Sequence, residues 1–204
     1  MATVYYSNYT AMGMNAQEGK PVEHVINEDG DFYLKDFPAA ERNKMYRAYD
    51  KLRSLGVGIE FTRTPQGVQM AAGTVINRAV REGRITRANR DELIAKIRDI
   101  QRKLASARWA HTDIKPQNVV VKWRGEGAIR VQNLVVHVKT DAKPVFDVFL
   151  IDNDFAAPFG DGRRVCTPRI NARSTKQGTS GVIDANTDNM GFDAVIQYIR
   201  DNVR

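Results

Sequence analysis

The spacing of apolar residues predicts two amphipathic helices, one in the middle of the chain and one near its end. Between residues 87 and 108 the apolar positions fall three or four residues apart, at Leu93, Ile97, Ile100, Leu104 and Ala107. This period places them on one helix face that can be buried against a core. The same spacing at Phe192, Val195, Ile196 and Ile199 predicts a final helix over residues 188–202. Residues 38–54, which begin with a proline, and residues 74–82 are predicted as two further helices.

Short runs of β-branched and aromatic residues, bounded by turn residues, predict strands. The predicted strands are residues 4–6, 22–26, 31–35, 59–62, 67–71, 119–123 and 145–151, with one more within 129–138. Residues 156–186 are rich in glycine, serine, threonine and asparagine and are predicted to be a long loop. We therefore expect an α+β fold in a single domain of residues 1–204. It would have a β-rich part over about residues 1–72 and a helical part over about residues 73–204.

Composition and charge narrow the class of protein. The 204 residues are 42% hydrophobic and 27% charged, which allows a buried core and excludes wholesale disorder. We expect no membrane segment, because no apolar run is long enough, and no cleaved signal peptide. The net charge of +7 comes from basic residues spread along the chain, so we expect no nucleic-acid partner. Cys166 is the single cysteine, which excludes an intramolecular disulfide and fits a reducing compartment.

The segment from His111 to Asn118 carries the groups that phosphoryl transfer needs. That chemistry requires a carboxylate to orient the attacking hydroxyl, a cation near the phosphate, and oxygen ligands for magnesium. Asp113 is the candidate carboxylate and Lys115 the candidate cation, while Asn118 offers an amide oxygen to a metal ion. Pro116 stiffens the loop between these side chains. We expect ATP and Mg²⁺ as the cofactors.

This segment resembles the catalytic loop of protein kinases, His-Arg-Asp-x-Lys-Pro-x-Asn in its serine/threonine form. Five positions of the pattern match, at His111, Asp113, Lys115, Pro116 and Asn118. The resemblance implies a minimal, atypical bilobal kinase-like fold whose C-lobe is truncated, because the helices that usually dock peptides do not follow. Thr112 stands where regulated kinases carry arginine, which usually pairs with a phosphate of the activation segment. We therefore expect activity without prior phosphorylation.

A second metal ligand is expected after the strand predicted at residues 145–151. Asp152 follows the apolar run directly, where kinases place the aspartate of their Asp-Phe-Gly triplet. The pattern Asp-x-Asp-Phe-Ala also resembles choline-kinase-like enzymes, which likewise favours Asp152. The alternative takes Asp154 as the aspartate of the triplet, with Ala156 in place of glycine. The span from Asn118 to Asp152 is unusually long for a kinase and implies an enlarged hairpin.

The nucleotide-binding residues are predicted in the first 50 residues by the same resemblance. Lys35 ends a predicted strand and resembles the lysine that contacts the α- and β-phosphates. Gly19 lies upstream, where a phosphate-covering loop would end, although a complete G-x-G-x-x-G motif is absent. The acidic partner of Lys35 would be Glu41, with Asp50 as the alternative.

Residues towards the end of the chain extend the resemblance. Asp188 opens the final helix and resembles the kinase aspartate that holds the catalytic-loop backbone, while N-terminal capping of that helix is the alternative role. Gly178 and Thr179 resemble the Gly-Thr at the end of an activation segment. A kinase this short is similar to the minimal effector kinases that pathogenic bacteria inject into host cells, and most similar to the HopBF-type effectors.

That resemblance implies a partner and a location. It implies a monomer, secreted by the bacterium through a type III system, which acts in the host cytoplasm as a virulence effector. The substrate would be a host protein, with heat-shock protein 90 as the candidate.

Two other functions are compatible with the sequence. One is a small-molecule phosphotransferase similar to aminoglycoside or choline kinases, which share the His-x-Asp, the following asparagine and the Asp152 region. Those enzymes generally lack a counterpart of Lys115. The other is a pseudokinase that only binds partners. The glycine-poor loop favours this function. It is disfavoured by the presence of the full set of expected site residues, Lys35, Asp113, Asn118 and Asp152.

Overall fold

The computed structural model describes residues 3–6, 22–27, 30–124, 127–131, 134–138, 145–162 and 182–203. These residues belong to two compact units. The first is drawn from Met1–Tyr46, Glu60–Ala72 and Trp123–Val145. The second is drawn from Arg47–Ile59, Gly73–Lys122 and Phe146–Arg204. Gly19, Cys166 and the Gly178-Thr179 pair lie outside the described residues.

The described elements follow each other in an order that alternates strands and helices. They are β1 (Thr3–Tyr6), β2 (Glu23–Asn27), β3 (Gly30–Asp36), α1 (Arg42–Ser54), β4 (Phe61–Arg63), β5 (Gly67–Ala71), β6 (Thr74–Val75), α2 (Ile76–Arg81), α3 (Arg87–Ser106), β7 (Trp109–Ala110), β8 (Val119–Trp123), β9 (Gly127–Val131), β10 (Leu134–Val138), β11 (Phe146–Leu150), β12 (Ala157–Pro158) and α4 (Asn189–Asn202). Two 3₁₀ turns, Pro116–Asn118 and Asn153–Phe155, complete the set.

A five-stranded antiparallel sheet in the order β1-β2-β3-β5-β4 forms the first unit. The strands predicted in the first 72 residues therefore form, each within two residues of its predicted limits. In β3, Lys35 lies opposite Val68 of β5. The segment predicted as one strand within residues 129–138 is instead two strands, β9 and β10. They pair as an antiparallel hairpin that contacts β2 and β3, which accounts for the long span before Asp152.

Two predicted helix starts are wrong. Helix α1 begins at Arg42 instead of Pro38, because residues 38–41 form a turn in which Glu41 N donates to Pro38 O at 3.0 Å. Helix α2 begins at Ile76 instead of Thr74. The β-branched pair before it joins the sheet, with Thr74 and Val75 opposite Val121 and Val120. The backbone bond within the turn at α1, and the strand pairing at α2, outweigh the weak preference of a few residues for helix.

Helices α3 and α4 pack against each other in the second unit, and both predicted apolar faces are confirmed. The face of α3 is buried at Leu93, Ile97, Ile100 and Leu104, whereas Ala107, predicted on the same face, lies just past the end of the helix and is half-buried. The face of α4 is buried at Phe192, Val195, Ile196 and Ile199. Among the described helices, none combines the length and the hydrophobicity needed to cross a bilayer.

A three-stranded sheet in the order β11-β8-β6 lies beside the segments that carry the candidate site. Ile151 N donates to Asn118 O at 3.0 Å, just beyond β11 and just before β8. The sheet therefore brings the residue before Asp152 into direct backbone contact with Asn118. Two stretches far apart in sequence meet at one end of the sheet.

Candidate active site

The segment from His111 to Asn118 connects β7 to β8 and closes on itself around the Asp113 carboxylate. Lys115 Nζ donates to Asp113 Oδ2 at 2.6 Å, and Asn118 Nδ2 donates to the same oxygen at 2.8 Å. Asn118 Nδ2 also donates to the Asp113 carbonyl oxygen at 2.9 Å. Asp113 and Asn118 are buried, at 7% and 4% exposed, whereas the Lys115 side chain is 30% exposed. Three predicted site residues are therefore in mutual contact.

These contacts orient the Asn118 amide. Both acceptors on Asp113 are oxygens without a proton to give, so the Asn118 atom facing them must be the nitrogen. The amide oxygen Oδ1 is then the Asn118 atom suited to bind a cation. The loop thus offers a held carboxylate, a neighbouring ammonium group and one amide oxygen, which are the groups that phosphoryl transfer uses.

Asp152 lies immediately after Ile151 and has a strained backbone, with φ 61° and ψ 48°. A non-glycine residue in this left-handed region costs about 1–3 kcal/mol, and such residues cluster at functional sites. Within the described residues no three His, Cys, Asp or Glu side chains are grouped so as to hold a metal alone. An Mg²⁺ ion fits this donor set, because it is commonly bound by one or two carboxylates together with substrate phosphates. Asp152 and Asn118 would supply the protein ligands.

Asp154, the alternative ligand, is engaged by helix α1. Tyr49 is fully buried, and its hydroxyl donates to Asp154 Oδ1 at 3.1 Å. This contact gives Asp154 a positioning role in the turn Asn153–Phe155 and favours Asp152 as the metal ligand. No sequence pattern pointed to Tyr49, since its only signal is its place on the apolar face of α1.

His111 links the loop of residues 111–118 to the segment that carries Asp152. Its ring is buried, with Nδ1 accepting from Asp113 N at 3.3 Å and Nε2 within 2.9 Å of Ile151 O. Because Nδ1 acts as an acceptor, the ring proton lies on Nε2 and is donated to the Ile151 carbonyl. His111 therefore supports the backbone at Asp113 and the residue before Asp152 at the same time.

Asp188 holds the backbone of the loop from the other side. Its Oδ2 accepts from His111 N at 2.6 Å and its Oδ1 accepts from Thr112 N at 2.8 Å. Asp188 precedes α4, but its side chain makes no capping bond to that helix, so the alternative capping role is wrong. The helix can approach the loop closely because residue 191 is glycine. A Cβ there would lie 2.6 Å from Ile114 Cβ.

Burial raises the pKa of the Asp188 carboxyl, and the nearby Asp113 carboxylate acts in the same direction. The two backbone N–H groups that donate to Asp188 oppose this rise without cancelling it. Ionising Asp188 therefore costs the folded protein more than the unfolded chain. Asp188 contributes most to stability below the pKa that its carboxyl has in the unfolded chain, near 3.8. This contribution falls as the pH rises through the higher pKa that the carboxyl has in the folded protein.

We expect Asp188→Ala to lower the free energy of unfolding by about 2–4 kcal/mol, because two buried N–H groups lose their acceptor. Urea denaturation measures the change. Asp193→Ala is the matched control, since that carboxylate on α4 is 64% exposed and pairs with Arg98 at 2.9 Å. Such a surface pair contributes at most about 1 kcal/mol. Equal losses in the two variants would contradict the role of Asp188.

The pH dependence gives a separate check on Asp188. We expect the stability difference between the wild type and Asp188→Asn to be greatest at acid pH. It should narrow as the pH rises through the folded pKa of Asp188, because only the wild type then ionises a buried group. Urea midpoints measured for both proteins across that range test this. A difference that widens with pH would show the opposite shift in pKa.

The nucleotide-binding candidates belong mainly to the first unit. Lys35 lies on β3 and is partly exposed. Glu41 lies just before α1, is 55% exposed, and its carboxylate is 4.0 Å from Lys44 Nζ. Asp50, the alternative partner, belongs to the second unit and is 3.4 Å from Arg53. The pairing of Lys35 with Glu41 and the role of Gly19 stay predictions.

The fold resembles solved protein kinase domains. No protein-family model matches the chain, and no curated protein matches it. The kinase domain of a Plasmodium protein superposes with a TM-score of 0.56 at 13% identity, over 91% of this chain and 62% of that one. The PK-1 kinase of the Cydia pomonella granulovirus gives 0.56 at 13% identity, over 88% and 63%.

These likenesses establish the fold. The chain spans less than two thirds of the length of either neighbour. At this identity the likeness concerns architecture and carries no information on substrates. The prediction of fold class is confirmed: the chain has an α+β, protein kinase-like fold.

Proposed function

We propose that this protein is an ATP-dependent kinase that transfers the γ-phosphate of ATP to a serine or threonine hydroxyl of a protein. The observation that carries the proposal is the contact of Lys115 and Asn118 with one oxygen of Asp113, at 2.6 and 2.8 Å. This arrangement sets a carboxylate, a cation and an amide ligand on one short loop. Asp152 is the proposed second carboxylate, one residue after the backbone contact of Ile151 with Asn118.

In the proposed reaction, the acceptor oxygen forms a bond to the γ-phosphorus while the bond from that phosphorus to the β–γ bridging oxygen breaks. ADP leaves, and the proton of the hydroxyl passes to Asp113, which also orients the hydroxyl. Lys115 lies close enough to Asp113 to stabilise negative charge on the transferred group. When bound by Asn118 and Asp152, Mg²⁺ supplies charge neutralisation to the phosphates.

Lys115 supports a protein substrate over a small molecule. A lysine two residues after the aspartate belongs to the serine/threonine form of the loop, and small-molecule phosphotransferases generally lack it. Its contact with the Asp113 carboxylate at 2.6 Å supports a role for Lys115 in the proposed reaction.

The resemblance to HopBF-type effectors extends the proposal to a biological setting. We propose a monomeric bacterial virulence effector, delivered by type III secretion, that phosphorylates a host protein in the host cytoplasm. Heat-shock protein 90 is the first substrate to test. The support for this part is the similarity of residues 111–118 and 150–156 to that group.

Incubation of the protein with magnesium ATP and a eukaryotic lysate, followed by phosphosite mass spectrometry, tests the proposal. Purified heat-shock protein 90, aminoglycosides and choline are tested in parallel. New phosphoserine or phosphothreonine sites that are absent with Asp113→Asn would support a protein kinase. Transfer only to an aminoglycoside or choline would support a small-molecule phosphotransferase. Magnesium-dependent ATP binding without transfer to any acceptor would indicate a pseudokinase.

A further inference from the structure

Thr112 occupies a backbone conformation that its side chain disfavours. Its φ is 70°, in the left-handed region, where a β-branched residue is a genuine outlier. Among the described residues, the other non-glycine residues with positive φ are Arg108 and Asp152. Glycine would adopt this conformation without the steric cost, so the backbone does not explain a threonine at this position.

The surroundings of Thr112 show what the side chain contributes. The residue is 3% exposed, and its N–H donates to Asp188 Oδ1 at 2.8 Å. Its hydroxyl Oγ1 donates to the carbonyl oxygen of Phe155 at 3.2 Å. Phe155 ends the 3₁₀ turn that follows Asp152. The threonine hydroxyl therefore connects the catalytic loop to the far end of the turn that follows the candidate metal ligand Asp152.

Asp152 is bracketed by contacts from the catalytic loop. On its N-terminal side, Ile151 is held by His111 Nε2 at 2.9 Å and by Asn118 O at 3.0 Å. On its C-terminal side, the contact from the catalytic loop is the Thr112 hydroxyl on Phe155 O. Within the same turn the Tyr49 hydroxyl also holds Asp154, and beyond the turn Ala157 pairs with Ala110. A strained residue such as Asp152 keeps its conformation only if both of its sides are held.

We infer that Thr112 is a positioning residue whose hydroxyl sets the Asp152 carboxylate relative to Asp113 and Asn118. It acts on the metal–nucleotide complex through the Phe155 backbone and touches neither substrate nor metal. The inference rests on the proposed use of magnesium ATP. It assigns a function to the position at which this loop departs from the kinase pattern.

The experiment compares Thr112→Val, which keeps the β-branched shape without the hydroxyl, with Thr112→Ser, which keeps the hydroxyl. Calorimetric titration with a non-hydrolysable ATP analogue, with and without Mg²⁺, gives the gain in affinity due to the metal. We expect Thr112→Val to reduce that gain about fivefold, the typical effect of one lost hydrogen bond. Thr112→Ser should stay within about twofold of the wild type, and binding without Mg²⁺ should not change in either variant.

Thr112→Gly serves as a second variant if Thr112→Val does not fold, because it removes both the hydroxyl and the backbone strain. We expect it to behave like Thr112→Val in the titration. Urea midpoints separate this effect from a general loss of stability. An unchanged metal-dependent gain in Thr112→Val or Thr112→Gly overturns the inference, as does an equal loss in Thr112→Val and Thr112→Ser. If the wild type binds the analogue in a metal-dependent way but transfers no phosphate, the proposed function is contradicted while the inference about Thr112 stands.

Discussion

Replacing Asp113 with asparagine is expected to lower kcat by about 10²–10⁴-fold, the range typical of a lost general base. The Asp113 carboxylate is the group proposed to take the proton of the acceptor hydroxyl, and an amide cannot take it. The fold should survive, because asparagine keeps an oxygen that can accept from Lys115 Nζ or Asn118 Nδ2, which now share Asp113 Oδ2. Steady-state phosphate transfer, together with urea denaturation, measures both effects.

Lys115→Met provides the comparison for Asp113→Asn. It removes the cation 2.6 Å from Asp113 while leaving the carboxylate, and should lower kcat with little effect on the affinity for ATP. Activity near the wild-type level in Asp113→Asn, at an unchanged urea midpoint, would exclude Asp113 as the base and with it the proposed mechanism.

The second large effect is expected for Asp152→Ala, which removes the carboxylate proposed to bind Mg²⁺. Metal coordination to phosphate provides several kcal/mol of charge stabilisation, so we expect a loss of about 10³-fold or more in kcat/KM. Titration with Mg²⁺ at saturating ATP shows whether the loss is in metal binding. The half-saturating concentration of Mg²⁺ should rise steeply in this variant.

Asp154→Ala is the matched control, since it removes the same group two residues away on the same turn. Its carboxylate accepts from the Tyr49 hydroxyl at 3.1 Å, so we expect a moderate effect, shared by Tyr49→Phe. Full activity in Asp152→Ala with loss in Asp154→Ala would reverse the metal assignment.

The predictions from the sequence succeed where structure is set by neighbours along the chain. The helix faces of α3 and α4 follow from a period that the printed sequence shows directly. Asp113, Lys115 and Asn118 lie within six residues of one another, so a single turn is enough to bring them together. The start of α1 is set locally, by the backbone bond within the turn at residues 38–41. The start of α2 is set by the pairing of Thr74 and Val75 with the distant strand β8.

The sequence could not reveal contacts between distant positions. Tyr49 and Asp154 are 105 residues apart, and Thr112 and Phe155 are 43 apart. Neither pair has a pattern that marks it. The left-handed backbone at Thr112 and Asp152 could not be predicted from the sequence either, because neither residue is a glycine. Asn153 is buried, with no partner for its side-chain amide among the described residues. Such conflicts between residue type and environment concentrate at functional sites.

The position of Asp188, one residue before α4, has a consequence for the dynamics of the loop. The amides of His111 and Thr112 are bonded to a residue whose own place depends on a helix packed against α3. In native-state hydrogen exchange, these two amides should open together with the amides of α4 as one cooperative unit. The exchange rates of these two loop amides would then reflect the opening of α4. A ligand that stabilises the loop should therefore slow amide exchange in α4 as well.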